Sequence, residues 1–586
     1  MGEQITSGII EYLVAIRKQK NMTQQDIAEA SGMQRPNVAR IESNSHVISM
    51  DALMRYADAL GYKVRFSLEP NNGLEIIEVV NTELYEGERL LEFAKGRVHG
   101  MRQRNVFDEL MRHLEDNISG KITALYGLRR TGKTVLMQQA IVKLMESGKK
   151  AMYMSLSPDC GFNRVIAAIR NFVAAGGECI FLDEITAVEG FAQNAAILAD
   201  DFGGEHVNIV IAGTDSLVLA IARDNTLYDR MNLISTTYIG YSEYHNLFPD
   251  AGIFEYIHSG GIMPLNHFYC IDEAHRYIEA AIVDNIINSL RKNRFNKRYI
   301  RLLELDERGL LHKAIEQAIY IAGEELTINA ILGTFNNPDF GSARQLFAAD
   351  PDADKFDAVD ESDVEERLRY ALRLVRRDNS EFDIQYLEEL TDFLYQIDVI
   401  KYYTIVELRE SNRFGSNRCY SNEKSAVLFM QPGLRYRQAE ELVKALISAD
   451  SFNALSAAVK ERFIQKVMEN VEGQLLEHEV ILHTMERLPQ DYRMAQLRYN
   501  NGEIDMAIYK LGVEVRLYEV KRASSFRTDQ SRWLMDSEMN LAVEAYYEAP
   551  ISERTVIYSG ENTYIQTDEL GTINYRNLDD FLQERY

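Results

Sequence analysis

The eight residues Gly127-Leu128-Arg129-Arg130-Thr131-Gly132-Lys133-Thr134 constrain this chain more than any other feature. They fit the spacing G-x-x-x-x-G-K-[ST], in which loop N–H groups cradle phosphate oxygens. Such a loop needs a strand before it and a helix after it, so that the helix N-terminus adds its partial positive charge. The flanks meet that demand: Ile122–Tyr126 is a short apolar run suited to a buried strand, and Val135–Met145 has helical character. Residues 127–134 are therefore expected to bind ATP, with Lys133 neutralising the β and γ oxygens and the Thr134 hydroxyl ligating Mg²⁺.

A second apolar run, Cys179-Ile-Phe-Leu182, ends in Asp183-Glu184. An acid at the end of a buried strand can hold a metal's water shell, and its neighbour can polarise an attacking water. Asp183 is the expected metal acid and Glu184 the expected base. A third strand, Val207–Ala212, leads into Gly213-Thr214-Asp215-Ser216, where Thr214 is placed to sense the γ-phosphate.

Composition bounds the rest. The 586 residues suffice for three or four domains, and 46% hydrophobic with 26% charged residues is a globular balance. No apolar run reaches membrane-spanning length, and the first residues lack a secretory pattern, so a cytoplasmic protein without a membrane partner is expected. Cys160, Cys179, Cys270 and Cys419 fit no zinc spacing. A formal charge of -25 argues against indiscriminate nucleic-acid binding, so any DNA contact must come from a local surface.

One such surface is expected near the N-terminus. Ile9–Lys20 has helical spacing, Thr23 is an N-cap, Gly32 ends a short helix, and Pro36 opens the next. That second helix carries Gln34, Arg35, Asn37 and Arg40, residue types that read base edges. Asp51–Leu60 adds a helix and Lys63–Leu68 a short strand. Thr23-Gln-Gln25-Asp-Ile-Ala28, Val38-Ala39-Arg40-Ile41-Glu42 and Leu60-Gly61 resemble the lambda-repressor-like family of helix-turn-helix regulators. The resemblance implies DNA contact through Gln34, Arg35, Asn37 and Arg40. Residues 1–70 contain eight Lys plus Arg and eight Asp plus Glu, however. Phosphate contacts dominate DNA affinity, so a protein partner for this neutral module stays open as the alternative.

Residues 71–103 are expected to connect this domain to an ATPase core at 104–264, with a charged helix over Thr82–Lys95. Within the core, Leu227-Tyr-Asp-Arg230 precedes a strand-like Leu233–Ile239. Ser242-Glu243-Tyr244 and Gly260-Gly261-Ile-Met-Pro264 follow. With the phosphate loop, these features resemble the archaeal-type branch of the AAA+ ATPases. Leu265 stands where that branch often has Glu. The resemblance implies a homo-oligomer in which Arg230 completes a neighbouring subunit's site, with Arg223 as the competing candidate. It also implies a helical and winged-helix middle region, here 265–450. Ile271–Arg291 and Val364–Arg377 are its clearest helices, His312–Ala322 and Ile328–Leu332 its small lid helices. Leu387–Val406 with Ala426–Leu434 would form helices and a β-wing, and Asp350–Glu366 a solvated loop.

The second chemical constellation lies in residues 451–586. Glu477 is on a helix, Gly502–Ile508 is a strand carrying Glu503 and Asp505, and Val513–Val520 is the next strand, ending in Glu519-Val520-Lys521. Side chains alternate along a strand, so Glu519 and Lys521 share a face, and a hairpin partner could bring Asp505 beside Glu519. Glu477, Asp505 and Glu519 could then hold Mg²⁺ while Lys521 orients or deprotonates water. Glu, then Asp, then Glu-x-Lys resembles the PD-(D/E)XK nuclease superfamily, which implies an α/β restriction-nuclease-like fold. A helix over Ser525–Glu548 would lay Arg527, Arg532 and Trp533 along DNA.

The expected whole is a multidomain α and α/β protein: an all-α helix-turn-helix domain, a P-loop AAA+ α/β core, a helical and winged-helix middle, and the C-terminal nuclease-like domain. The expected function is ATP-driven action on DNA with Mg²⁺-dependent cutting, by analogy in host defence or mobile-element control. The alternative is an ATP-switched DNA-binding regulator whose nuclease-like domain is inactive.

Overall fold

In the computed structural model of the 586-residue chain, the residues described are 13–18, 20, 22–43, 50–62, 83–115, 121–203, 207–215, 219, 227, 229–263, 270–292, 299–348, 364–375, 384–411, 418–448, 452–499, 502–568 and 570–584. Arg223, Pro264, Leu265, the strand foreseen at Lys63–Leu68 and most of the acidic run after Asp350 lie outside them.

Near the N-terminus, Gln24–Ser31 (α1), Arg35–Glu42 (α2) and Met50–Ala59 (α3) are helices. Thr23 closes a capping box: its hydroxyl accepts the Asp26 N–H, and the Asp26 carboxylate accepts the Thr23 N–H at 2.6 Å. Gly32 ends α1 at φ 66°, a conformation that costs glycine least. Ile27, Val38, Ile41, Tyr56 and Leu60 form the domain's own core. Half-buried Glu42 accepts from Arg17 at 2.7 Å and from the Tyr56 hydroxyl at 2.7 Å, tying α2 to its neighbours.

The central sheet has six strands: Glu83–Glu86 (β1), Ile122–Tyr126 (β2), Ala151–Ser155 (β3), Cys179–Asp183 (β4), Asn208–Gly213 (β5) and Met231–Ser235 (β6). Their spatial order is β1-β3-β4-β5-β2-β6, all parallel except β1 against β3. The phosphate-loop strand β2 lies between β5 and β6. Alternation divides the core between two faces. Leu125, Phe181 and Val210 pack with Leu136, Ala140 and Ile141 of the helix Lys133–Glu146, while Ala124, Ile180 and Ile211 pack with Val165 and Ile169. Strands covered on both faces read as continuous apolar runs, which is why they were visible in the sequence. The helix expected from Thr82 begins at Gly87, because Glu83–Glu86 instead pairs with β3 as an edge strand.

A second sheet has eight strands. Where the sequence suggests helices and a short β-wing, Ile400–Ser411 (β7) and Arg418–Phe429 (β8) form a long hairpin that belongs to this sheet. Arg493–Tyr499 (β9), Gly502–Lys510 (β10), Glu514–Lys521 (β11), Ile551–Tyr558 (β12), Thr563–Thr567 (β13) and Gly571–Asn577 (β14) complete it in the order β13-β14-β12-β11-β10-β9-β7-β8. Strand β7 runs parallel to β9, so the sheet continues across residue 451.

Three further helices differ from what the sequence suggests. His312–Ala322 and Ile328–Leu332 belong to one helix, Leu311–Phe335. Gly323 looks like a break, but it makes room for buried Arg435: a Cβ there would meet the guanidinium carbon at 2.4 Å. The helix expected from Leu387 stops at Gln396, and Asp398 turns the chain into β7 with φ 56°. Ser525–Glu548 is a short 3-10 turn at Thr528–Ser531 and a separate helix Ser537–Tyr547, started by Asp536, whose carboxylate accepts the Met539 N–H at 2.8 Å. Arg532 stacks on Trp533 with its guanidinium carbon 4.8 Å from the ring centroid, and Arg527 pairs with Asp529.

The 29-residue helix Ala457–Met485 spans roughly 44 Å at 1.5 Å per residue. It buries Phe463, Val467, Leu475 and Val480 in one cluster with Tyr244 and Tyr256 of the ATPase region and with Met506 and Tyr518 of the second sheet. No described helix is long and apolar enough to cross a membrane.

Thr23→Ala removes the cap of α1 and should cost about 1 kcal/mol. Amide exchange across Gln24–Ser31 should then quicken by roughly fivefold, with no change in the helix Lys133–Glu146.

Candidate functional site: a phosphate loop and a carboxylate–lysine cluster

The phosphate loop leaves β2 at Gly127, whose φ of 144° and close neighbours both require glycine. A Cβ there would meet the Thr236 and Thr237 hydroxyls at 2.6 and 2.8 Å. Gly132, at φ 89°, turns the chain into the helix beginning at Lys133. Arg130 also takes a positive φ, 67°. Lys133 is buried, and its ammonium donates to the Gly127 and Leu128 carbonyls at 2.7 and 2.8 Å. Burial pulls its pKa down to about 8, against the opposing fields of Glu184 and Asp183.

The acids stand where the sequence put them. The Thr134 hydroxyl donates to Asp183 Oδ2 at 2.7 Å, which brings the two expected Mg²⁺ groups together. The Tyr153 hydroxyl, not foreseen, donates to the same oxygen at 2.9 Å. Glu184 follows at φ 58°, so its side chain turns toward Thr214, whose hydroxyl donates to it at 3.3 Å. Burial raises the Glu184 carboxyl above the usual carboxylate range. The Asn285 amide holds the Thr214 carbonyl at 2.9 Å. Arg129, Arg130, Thr131, Lys133, Glu184 and Thr214 line a cavity of about 1020 Å³ whose apolar wall is Met101, Leu247, Phe248 and Met263. Anion-binding loop, carboxylates and apolar wall together fit a nucleotide with its magnesium ion.

Arg104 was not singled out in the sequence, yet it organises this loop. Its side chain is 3% exposed and pairs with Glu243 through two bonds of 2.9 Å. It also donates to the carbonyls of Thr131 at 2.6 Å, Thr236 at 2.7 Å and Tyr238 at 2.9 Å. Glu243 belongs to the Ser-Glu-Tyr helix, so that motif's role here is to anchor Arg104. The Gly-Gly turn and Gln431-Pro-Gly-Leu434 likewise meet: a Cβ on Gly261 would lie 2.8 Å from Gln431 Cα, and one on Gly433 would lie 2.6 Å from the Ser259 carbonyl carbon.

Arg230 does not enter this cavity. It pairs with Asp200 on the surface, and its carbonyl accepts the Ile122 N–H at the start of β2, the sheet end away from the loop. Gln34, the N-cap of α2, and Arg35, Asn37 and Arg40 on it are all exposed, while Val38 and Ile41 are buried.

The C-terminal constellation assembles around β10 and β11. The register pairs Met506 with Tyr518, and the Asp505 carboxylate accepts the Val520 N–H at 2.7 Å. The Lys521 ammonium lies 2.5 Å from Glu519 Oε2 and 3.4 Å from Asp505 Oδ2. Burial and then the field of Asp505 push the Glu477 and Glu519 carboxyls well above the ordinary range. Burial alone would lower the Lys521 pKa, but Asp505 and Glu519 more than offset it and raise it. Two members were not assigned roles in the sequence reading. Glu503 accepts from Gln496 at 2.5 Å, and burial raises its carboxyl too. Tyr403, from strand β7, lies in the fields of Glu503 and Glu477. Glu519 is 1% exposed and its Oε1 has no hydrogen-bond partner. A buried, unpartnered carboxylate oxygen among further acids fits a divalent cation. Among the described residues, the one trio with ligand atoms all within 4.8 Å of one another is elsewhere, at Glu279, His312 and Glu316.

Residues 119–245 match the family model of the AAA domain, and residues 13–66 match that of the helix-turn-helix. No curated protein matches the chain. Among solved structures, a DNA replication initiation factor shares 12% identity over 50% of this chain and 92% of its own, with a TM-score of 0.18. The ORC1 protein of Aeropyrum pernix, in complex with DNA, shares 12% identity over 60% of this chain and 94% of its own, with a TM-score of 0.21. Similarity at that level says nothing further about this chain. Neither domain match extends to the C-terminal carboxylates.

Arg104→Ala leaves Glu243 buried without its cation, and should destabilise the ATPase region by about 3–5 kcal/mol in urea unfolding. Adding Glu243→Gln should recover part of that loss, because the uncompensated charge is then gone.

Proposed function

We propose that this chain, which carries an AAA-type ATPase domain and a helix-turn-helix domain, hydrolyses ATP and cuts DNA with a Mg²⁺-dependent nuclease domain at residues 451–586. The observation that carries the cutting is the buried cluster in which Asp505 and Glu519 flank Lys521 and Glu519 Oε1 is left unpartnered.

In the ATPase site, Lys133 would leave the Gly127 and Leu128 carbonyls for phosphate oxygens, and Thr134 and Asp183 would hold the metal. Glu184 would take the proton of the attacking water, with Thr214 orienting its carboxylate. Arg230, remote from its own loop, would serve the site of a neighbouring copy, which makes the active form a homo-oligomer. In the C-terminal domain Glu477, Asp505 and Glu519 would hold the metal, and Lys521 would orient the water. Bound magnesium supplies electrostatic stabilisation of the phosphate and acidifies water. Exposed Gln34, Arg35, Asn37 and Arg40 would contact DNA at the N-terminal end. A role in host defence or mobile-element control is our analogy from this domain set.

Lys133→Ala should abolish ATP binding or turnover, measured by nucleotide titration and phosphate release. Glu184→Gln should keep binding and lose hydrolysis, and wild-type turnover in that variant would refute its role as base. Because its carboxyl is raised, wild-type hydrolysis should fall on the acid side at a higher pH than an ordinary glutamate would set.

Asp505→Ala, Glu519→Ala and Lys521→Ala should each abolish nicking of plasmid DNA while ATP hydrolysis continues. The carboxylate variants should also lose Mn²⁺ affinity, and Lys521→Ala should not. A wild-type protein that binds DNA but never nicks it, across metals and nucleotides, would leave an ATP-switched regulator in place of the nuclease.

A further inference from the structure

Glu479 is a buried acid that neither chemical site uses. It lies on the helix Ala457–Met485, two residues beyond Glu477, and is 1% exposed. Residues two apart on a helix point roughly 200° from each other. Glu477 accordingly faces the acids of β10 and β11, while Glu479 faces the ATPase region. There it accepts from the Tyr238 hydroxyl at 3.0 Å and the Tyr241 N–H at 2.8 Å, and the Tyr256 hydroxyl lies 3.1 Å away with its one proton shared between this carboxylate and a backbone carbonyl. The Tyr256 hydroxyl is also 2.9 Å from the Ile239 carbonyl. A buried carboxyl tied to these groups fixes the register of the helix, because sliding by one residue would orphan its partners.

Those partners lead back to the phosphate loop. The Tyr238 carbonyl accepts from Arg104, and Glu243, on the helix that begins at Tyr241, pairs with Arg104. Arg104 in turn holds the Thr131 carbonyl, inside the loop that lines the nucleotide cavity. Phosphate arrival must disturb this loop, because Lys133 now holds two of its carbonyls and would release them. From loop to acid cluster the route is Thr131, Arg104, Tyr238–Tyr241, Glu479 and a rigid helix.

We propose that Glu479 is a positioning residue that ties the placement of Glu477 at the carboxylate–lysine cluster to the state of the phosphate loop. The proposal deepens the function above and rests on it only for the consequence, which is that nucleotide regulates cutting.

The test uses full-length protein as wild type, as Tyr238→Phe/Tyr256→Phe and as Glu479→Gln. Each is followed by amide exchange across residues 471–485, with and without saturating ATPγS and Mg²⁺, and by DNA nicking in parallel. In the wild type, nucleotide should change exchange by about fivefold or more, the lower end of ordinary coupling. The double phenylalanine variant keeps the rings and loses both hydroxyl donors, so it should lose the response. Glu479→Gln keeps a carbonyl oxygen for the Tyr241 N–H and the Tyr238 hydroxyl, so it should retain it. Nicking should respond to nucleotide in the same two proteins and not in the third. Equal exchange with and without nucleotide in the wild type, or an undiminished response in the double variant, overturns the proposal. If no protein nicks DNA while the exchange pattern holds, the link stands and the nuclease reading alone falls.

Discussion

The bond that the ATPase half depends on is the buried pair of Arg104 and Glu243. Taking two charges out of water is costly, and direct attraction alone seldom offsets it. Here the guanidinium uses all five of its N–H groups: two on Glu243 and three on the carbonyls of Thr131, Thr236 and Tyr238. One side chain thereby joins the phosphate loop, the strand exit after β6 and the helix Tyr241–Leu247. Glu243 also accepts the Asn105 N–H at 2.8 Å, so the carboxylate is held on both sides. With those groups fixed, Gly127 lies against Thr236 and Thr237 where any other residue would collide.

Placements written in consecutive residues could be read from the chain. The phosphate loop, the acids at the end of β4 and the Glu-x-Lys face of β11 each follow from local spacing, and the strands between them are apolar runs. What could not be read were partners far apart. Arg104 and Glu243 are 139 residues apart, and nothing near either signals the other. The same holds for Glu479, whose hydroxyl partners lie 241 and 223 residues away. Edge strand β1 is charged at both ends and has no alternation strong enough to separate it from the helix that follows. Gly323 misled for a different reason: its use is to admit Arg435, a demand of packing that helix propensity does not contain.

The two chemical centres use a buried lysine in opposite ways. Lys133 is held by neutral carbonyls, and burial lowers its pKa to about 8. A cation among dipoles with no carboxylate in contact is short of negative charge, and an incoming phosphate supplies it. Lys521 instead touches Asp505 and Glu519, and they raise its pKa despite burial. The surplus in that cluster is negative: Glu477, Glu503, Asp505 and Glu519 face one lysine, and burial with mutual repulsion pushes the Glu477 and Glu519 carboxyls upward. Such a cluster is relieved by a cation, and Glu519 Oε1 has a free lone pair for it. Arg498 engages Glu503 at 3.3 Å on the cluster's edge, which leaves Glu477, Asp505 and Glu519 as the unbalanced charges. The sign of the imbalance, more than the motif, is what supports our proposal of an anion at the loop and a metal at the sheet.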